Sequence, residues 1–104
     1  MKFLNKLYRI IDKKTKNKER DSYSYMVYSN SKLLRKKIIE EANELIRTKN
    51  KKQAVWETSD LLYFLTLFLV KRKVKLKDVE NKLIERNLIK SRKLKQNQRR
   101  INKK

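Results

Sequence analysis

The chain has 104 residues, no Cys and no His, and 31 Lys and Arg against 11 Asp and Glu, for a formal net charge of +20. Its size suits one domain with one modest core and lies near the limit at which oligomerisation helps to bury enough surface. The missing Cys excludes a disulfide framework and thiolate chemistry, and the missing His removes the usual zinc ligand and general base. Carboxylates, metal, Lys, Tyr and hydroxyls are left to carry any catalysis.

In chain order, Phe3, Leu4, Leu7, Ile10 and Ile11 form the stripe of an amphipathic helix over residues 3–11. Residues 12–21 read as a polar, Lys-rich connection. Residues 22–28 have strand propensity in their aromatics and Val, but no partner strand appears elsewhere, so a short helix begun by Asp21 or Ser22 is expected. Ser31 is the expected cap of the next helix, 31–48, in which Leu34, Ile38, Ala42 and Leu45 line one side. A basic turn over 49–52 leads into a helix over 53–70. Two helices joined by so short a turn pack antiparallel. After a basic loop at 71–75, Leu76, Val79, Leu83 and Ile84 mark a further helix, with Asp78 and Glu80 in its first turn. These elements make an all-α domain over 1–87, followed by a tail, 88–104, with eight basic residues and no acid.

The apolar run 61–70 is ten residues long and contains Thr66, well short of the ~20 that span a membrane, so it reads as a core helix. It is apolar around nearly its whole circumference, from which a homodimer or larger oligomer is expected. The N-terminus alternates charged and apolar residues without a continuous signal-type core. A cytoplasmic location is the simplest expectation, although the basic, mildly amphipathic start also suits an organelle. The net charge points to an anionic partner such as nucleic acid, reached through the tail. A competing source is codon bias. No Gly, no Pro, two Ala and abundant Lys, Asn and Ile are what a strongly AT-rich genome produces.

Against that basic background, five of the eleven acids fall within 21 positions, as Glu40-Glu41-x-x-Glu44 and Glu57-x-x-Asp60. Residues 40–60 carry −1, and the other 83 residues carry +21. Positions 40 and 44 share a helix face, as do 41 and 44, and 57 and 60, so two neighbouring helices can aim these carboxylates at one point. A lone EExxE is usually a solvated helix surface. Here the second motif runs directly into Leu61-Leu62-Tyr63-Phe64-Leu65, so Asp60 is expected to open the buried run and to need a partner. An oxygen-only ligand set fits a hard cation, Mg2+ or Mn2+.

The pattern resembles phosphoribosyl-ATP pyrophosphohydrolase, of the all-α, MazG-like nucleotide pyrophosphatase superfamily. Four pieces carry the resemblance in the family's order: Ser22-Tyr23-Ser24; Lys37-x-x-Glu40-Glu41-x-x-Glu44; Glu57-x-x-Asp60-Leu61-Leu62-Tyr63; and Asp78-Val79 with Leu83 and Arg86. Phe64 stands where the family usually has His, and Ile39 and Lys73 where it usually has Gly. The resemblance implies a MazG-like bundle of four to five helices, consistent with the antiparallel central pair and the oligomer expected above. It implies Mg2+-dependent hydrolysis of phosphoribosyl-ATP to phosphoribosyl-AMP and pyrophosphate in histidine biosynthesis. Glu40, Glu41, Glu44, Glu57 and Asp60 would hold the metal and supply the base, with Ser22, Tyr23, Lys37 and Arg86 as substrate contacts. Tyr63, beside the apolar run, reads more as core than as ligand. Two rival readings are a non-enzymatic RNA- or ribosome-associated protein on the same inherited fold, and a general nucleoside triphosphate pyrophosphatase.

Overall fold

Capping side chains set the helix boundaries in the computed structural model, which describes residues 2–87. α1 spans Lys2–Lys16, α2 Tyr23–Tyr28, α3 Ser31–Ile46 and α4 Lys51–Lys71. Ser22, Asn30 and Asn50 precede α2, α3 and α4, and each accepts a bond from a backbone N–H of the first turn, which intrahelical pairing leaves free. The cap of α3 is therefore Asn30, through Leu33 N–H at 3.1 Å, and not the expected Ser31, which is already helical. A further helix, α5, covers 76–87, and there is no strand among the described residues.

α1 runs five residues beyond its expected end. Ile11 and Thr15 are buried, Thr15 Oγ1 donates to the Asp12 carbonyl, and Lys16 pairs with Asp12 at 3.0 Å one turn away. The polar sequence after Ile11 hides this continuation, because a single buried Thr on the inward face suffices to carry it.

The core is small. Ile11, Val27, Leu34, Phe64, Leu67 and Val70 are buried, and Leu7, Tyr8, Tyr28, Leu33, Ile38, Tyr63 and Phe68 pack around them. The α4 apolar run is covered except on the side of Leu65. Phe64, Thr66, Leu67 and Val70 are buried while Leu65 remains 38% exposed. The one buried hydroxyl of that run, on Thr66, donates to the Leu62 carbonyl at 2.7 Å, so no polar atom is stranded. No described helix is long and apolar enough to cross a membrane.

α3 and α4 are joined by the four residues 47–50. Thr48 Oγ1 donates to the Leu45 carbonyl, Asn50 accepts from Gln53 N–H, and Gln53 Oε1 accepts from Lys49 N–H. The turn thus satisfies both helix ends with its own side chains. The helices run antiparallel, so that Ser31 and Leu34 near the start of α3 share a cavity with Phe68 and Arg72 at the end of α4. The described residues divide into two compact units after Lys73. In the second, α5 carries a Lys82–Glu85 pair at 3.1 Å, and Leu83 and Ile84 are exposed. The basic tail, 88–104, lies outside the described residues.

Two helices end on a left-handed residue, a conformation for which Gly is favoured because it has no Cβ. Both positions hold Lys, Lys18 at φ 51° and Lys73 at φ 57°. After α1 the closing bonds are Lys18 N–H to the Thr15 carbonyl and Glu19 N–H to the Lys14 carbonyl. After α4, Lys73 N–H bonds the Val70 carbonyl. Lys73 is the position at which the resemblance leads one to expect Gly. Lys73→Gly should therefore stabilise the fold by about 0.5–1 kcal/mol, and Lys18→Gly by a similar amount. Urea denaturation of the two single variants against the parent checks this.

Candidate functional site

Glu41 on α3 faces Glu57 and Asp60, one turn apart on α4. Each offers a carboxylate oxygen, and the three atoms lie within 4.8 Å of one another. Of the five acids singled out by the sequence, these three are the ones brought together. Glu40 turns toward the basic side of its own helix, 3.9 Å from Lys36 and 3.6 Å from Lys37. Glu44 is exposed one turn beyond Glu40 and Glu41. The geometry of a helix explains the split, since neighbouring residues 40 and 41 diverge by about 100° and only one can face α4. Asp60 is exposed rather than enclosed. The buried face of α4 begins with Phe64, one turn later, so Asp60 ends a polar rim and does not open the core.

The electrostatics match the geometry. The Glu41 carboxyl is pushed above the usual range for Glu, first by desolvation, then by its hydrogen bond with Glu57 and the negative charges of Asp60 and Glu57. Lys37 opposes the shift. Like charges held this close favour a proton or a cation between them. The donor set is three carboxylates in a chain without His or Cys, which suits a hard divalent ion such as Mg2+ or Mn2+ and not a thiolate- or imidazole-seeking one.

Ser22 is the cap of α2, so its oxygen is engaged by Tyr25 N–H at 3.3 Å. Tyr23 is half exposed and stacks on Tyr63, with ring centroids 6.3 Å apart. Ser24 is the residue of this segment that sequence reasoning passed over. It is buried, and its hydroxyl bonds the Tyr63 hydroxyl at 2.5 Å, tying α2 to α4. Burial holds the Tyr63 phenol above its usual pKa despite that bond, so it stays a neutral hydrogen-bonding partner. Membership of Ser24 and Tyr63 in two of the four familiar pieces was the available signal for this contact. Phe64 is buried against the edge of Tyr63, 5.2 Å between centroids, so the ring at the usual His position belongs to the core. Lys37 is beside Glu40 and Glu41, and Arg86 is exposed on α5 in the second unit.

The family model described as phosphoribosyl-ATP pyrophosphohydrolase matches residues 4–87. The chain belongs to this family. Phosphoribosyl-ATP pyrophosphatase of Clostridium novyi is 31% identical over 87 residues, covering 80% of this chain and 79% of that protein. The histidine biosynthesis trifunctional protein of Saccharomyces cerevisiae is 47% identical over 68 residues, covering 65% of this chain and 8% of that protein. The bifunctional protein HisIE of Caldanaerobacter subterraneus is 34% identical over 90 residues, 83% of this chain and 44% of that one. The chain spans about a tenth of the length of the fungal trifunctional proteins it matches. No solved structure matches the chain significantly. The matched region of the pyrophosphohydrolase family contains every candidate site residue, from Ser22 to Arg86.

A carboxyl whose folded-state pKa is raised favours the fold most when protonated. Its contribution is complete below the ordinary Glu range and is lost as pH rises through the raised value. In EDTA, the parent should therefore lose stability as pH climbs just above the ordinary carboxylate range, and Glu41→Gln should lose less of it. Melting temperatures of the two proteins across that interval provide the check. A structural ion pair would give the opposite result, with Glu41→Gln the less stable at neutral pH.

Proposed function

We propose that this protein hydrolyses phosphoribosyl-ATP to phosphoribosyl-AMP and pyrophosphate, a step of histidine biosynthesis, and that it does so with Mg2+ or Mn2+ held by its acidic group. The observation that carries the proposal is the convergence of Glu41, Glu57 and Asp60 from α3 and α4 within a chain that matches this family over residues 4–87. A divalent ion bound there supplies charge neutralisation for the triphosphate and lowers the pKa of an attacking water.

The remaining work falls to the side chains. Glu41, Glu57 and Asp60 would hold the ion, and the pairing of α3 with α4 fixes the spacing of their carboxylates. Glu44, exposed and one turn from Glu41, is left to accept the proton of the water whose oxygen joins phosphorus. The anhydride P–O bond then breaks, and pyrophosphate leaves with the electron pair. Lys37, beside Glu40 and Glu41, offers its ammonium to a phosphate oxygen. Tyr23 presents an exposed ring, and Ser22 keeps a hydroxyl hydrogen to donate. Arg86 as a phosphate contact rests on the family resemblance alone.

We further propose that the working form is a homodimer or larger oligomer. Ile39 and Ile46, two turns apart on α3, are 61% and 79% exposed, and Leu65 on α4 is also open to solvent. Among the described residues, a core of six buried apolar side chains leaves these for a second copy to cover. Sedimentation at micromolar concentration should show a species of at least twice the 12.8 kDa chain mass. Ile46→Lys should shift it toward the monomer.

Pyrophosphate release from phosphoribosyl-ATP should depend on Mg2+ or Mn2+. It should fall by about 100-fold or more in Glu57→Gln and in Asp60→Asn, with the fold retained. A parent protein that releases no pyrophosphate at any Mg2+ concentration, yet binds RNA with steep salt dependence, would instead favour an inherited fold redirected to RNA.

A further inference from the structure

Trp56 is the only tryptophan of the chain, and it stands on α4 immediately before Glu57. It is 67% exposed. Tryptophan brings a large apolar area that folded proteins mostly bury, so an indole left open to water on a short domain needs a reason.

The surroundings supply one. Trp56 lines an open cavity of about 340 Å3 with Asn50, Lys52, Gln53 and Glu57. Glu57 also belongs to the three-carboxylate group, so a single cavity joins an aromatic ring to the acidic site. Trp56 and Asp60 are separated by one helical turn, which places their Cβ atoms about 5–6 Å apart. A nucleotide whose first phosphate is at the acidic group has its base one ribose away, on the scale of that step. The other lining residues are polar or charged, unlike the charge-depleted centre of a protein interface. Gln53 has its Oε1 engaged by Lys49 N–H at 3.1 Å, which leaves its amide NH2 to donate to a ring nitrogen.

We propose that Trp56 is the nucleobase platform of this site. The purine ring of the substrate stacks on the exposed indole while its phosphates lie at the acidic group, whose carboxylates would meet them with a divalent cation between. The inference rests on the nucleotide reading above for the identity of the substrate. It adds a binding residue to which none of the acidic or Ser-Tyr motifs points.

The lone tryptophan makes its own probe, because the intrinsic emission of the protein reports on position 56 alone. Titration of the full chain with AMP in the presence of Mg2+ should quench that emission saturably, and UMP, with a smaller ring, should quench it less. In phosphoribosyl-ATP turnover, Trp56→Leu should raise KM about tenfold with kcat changed little, a loss typical of one aromatic stacking partner. Trp56→Phe, which keeps a ring, should raise KM less than Trp56→Leu. Emission that ignores AMP, together with an unchanged KM in Trp56→Leu, overturns the proposal even if the parent hydrolyses phosphoribosyl-ATP. The same holds if emission is already blue-shifted and insensitive to AMP because a second copy covers the ring. Saturable quenching by AMP in a protein that releases no pyrophosphate would keep the base platform and remove the proposed reaction.

Discussion

The four-residue turn at 47–50 is the constraint on which the rest of the structure depends. It is too short to let α4 do anything but fold back along α3, and its own Thr48 and Asn50 satisfy the helix ends on both sides while Gln53 of α4 accepts from Lys49 N–H. Once the two helices are antiparallel and in this register, Glu41 must lie opposite Glu57 and Asp60. Three acids are thereby forced together in a protein whose other charges are overwhelmingly positive. Desolvation, the hydrogen bond with Glu57 and the neighbouring carboxylate charges together raise the Glu41 pKa, and a divalent cation would relieve the repulsion.

The second layer of the structure supports that pair. α2 is only six residues long, but Val27 belongs to the core and Ser24 bonds Tyr63 on α4. Lys71 reinforces the same junction, donating to the Tyr28 carbonyl and lying over the Tyr28 ring at 5.2 Å. The Ser-Tyr-Ser segment and the Asp-Leu-Leu-Tyr segment, distant in sequence, are thus one packing unit. Phe64 completes it. An imidazole at this buried position would need a hydrogen-bond partner, whereas a phenyl ring needs only the edges of Tyr23 and Tyr63 that it already touches.

Composition leaves its mark on the backbone. With no Gly anywhere in the chain, the left-handed ends of α1 and α4 fall to Lys18 and Lys73, which have a Cβ to accommodate. Residues at these positions are held by the closing hydrogen bonds rather than by their own preference. Two of the Lys residues therefore occupy positions at which the backbone favours Gly. Net charge alone is a poor guide to the partner of this protein.

The sequence by itself determined the helices, the antiparallel pair and the clustering of acids, because amphipathic spacing, turn length and charge are local properties of the chain. The α4 helix and the neighbourhood of Glu57 and Asp60 were legible in this way. Tertiary structure decided what depends on which side of a helix faces a neighbour. It selected Glu41 over Glu40 and Glu44, left Asp60 on the rim, and extended α1 to Lys16 through one buried Thr. It also turned Trp56 outward beside Glu57 while Phe64, two turns further on, went into the core. Periodicity predicts that a helix has two faces. Only the packing of its neighbours says which face is covered, since burial is a property of pairs of elements and not of one.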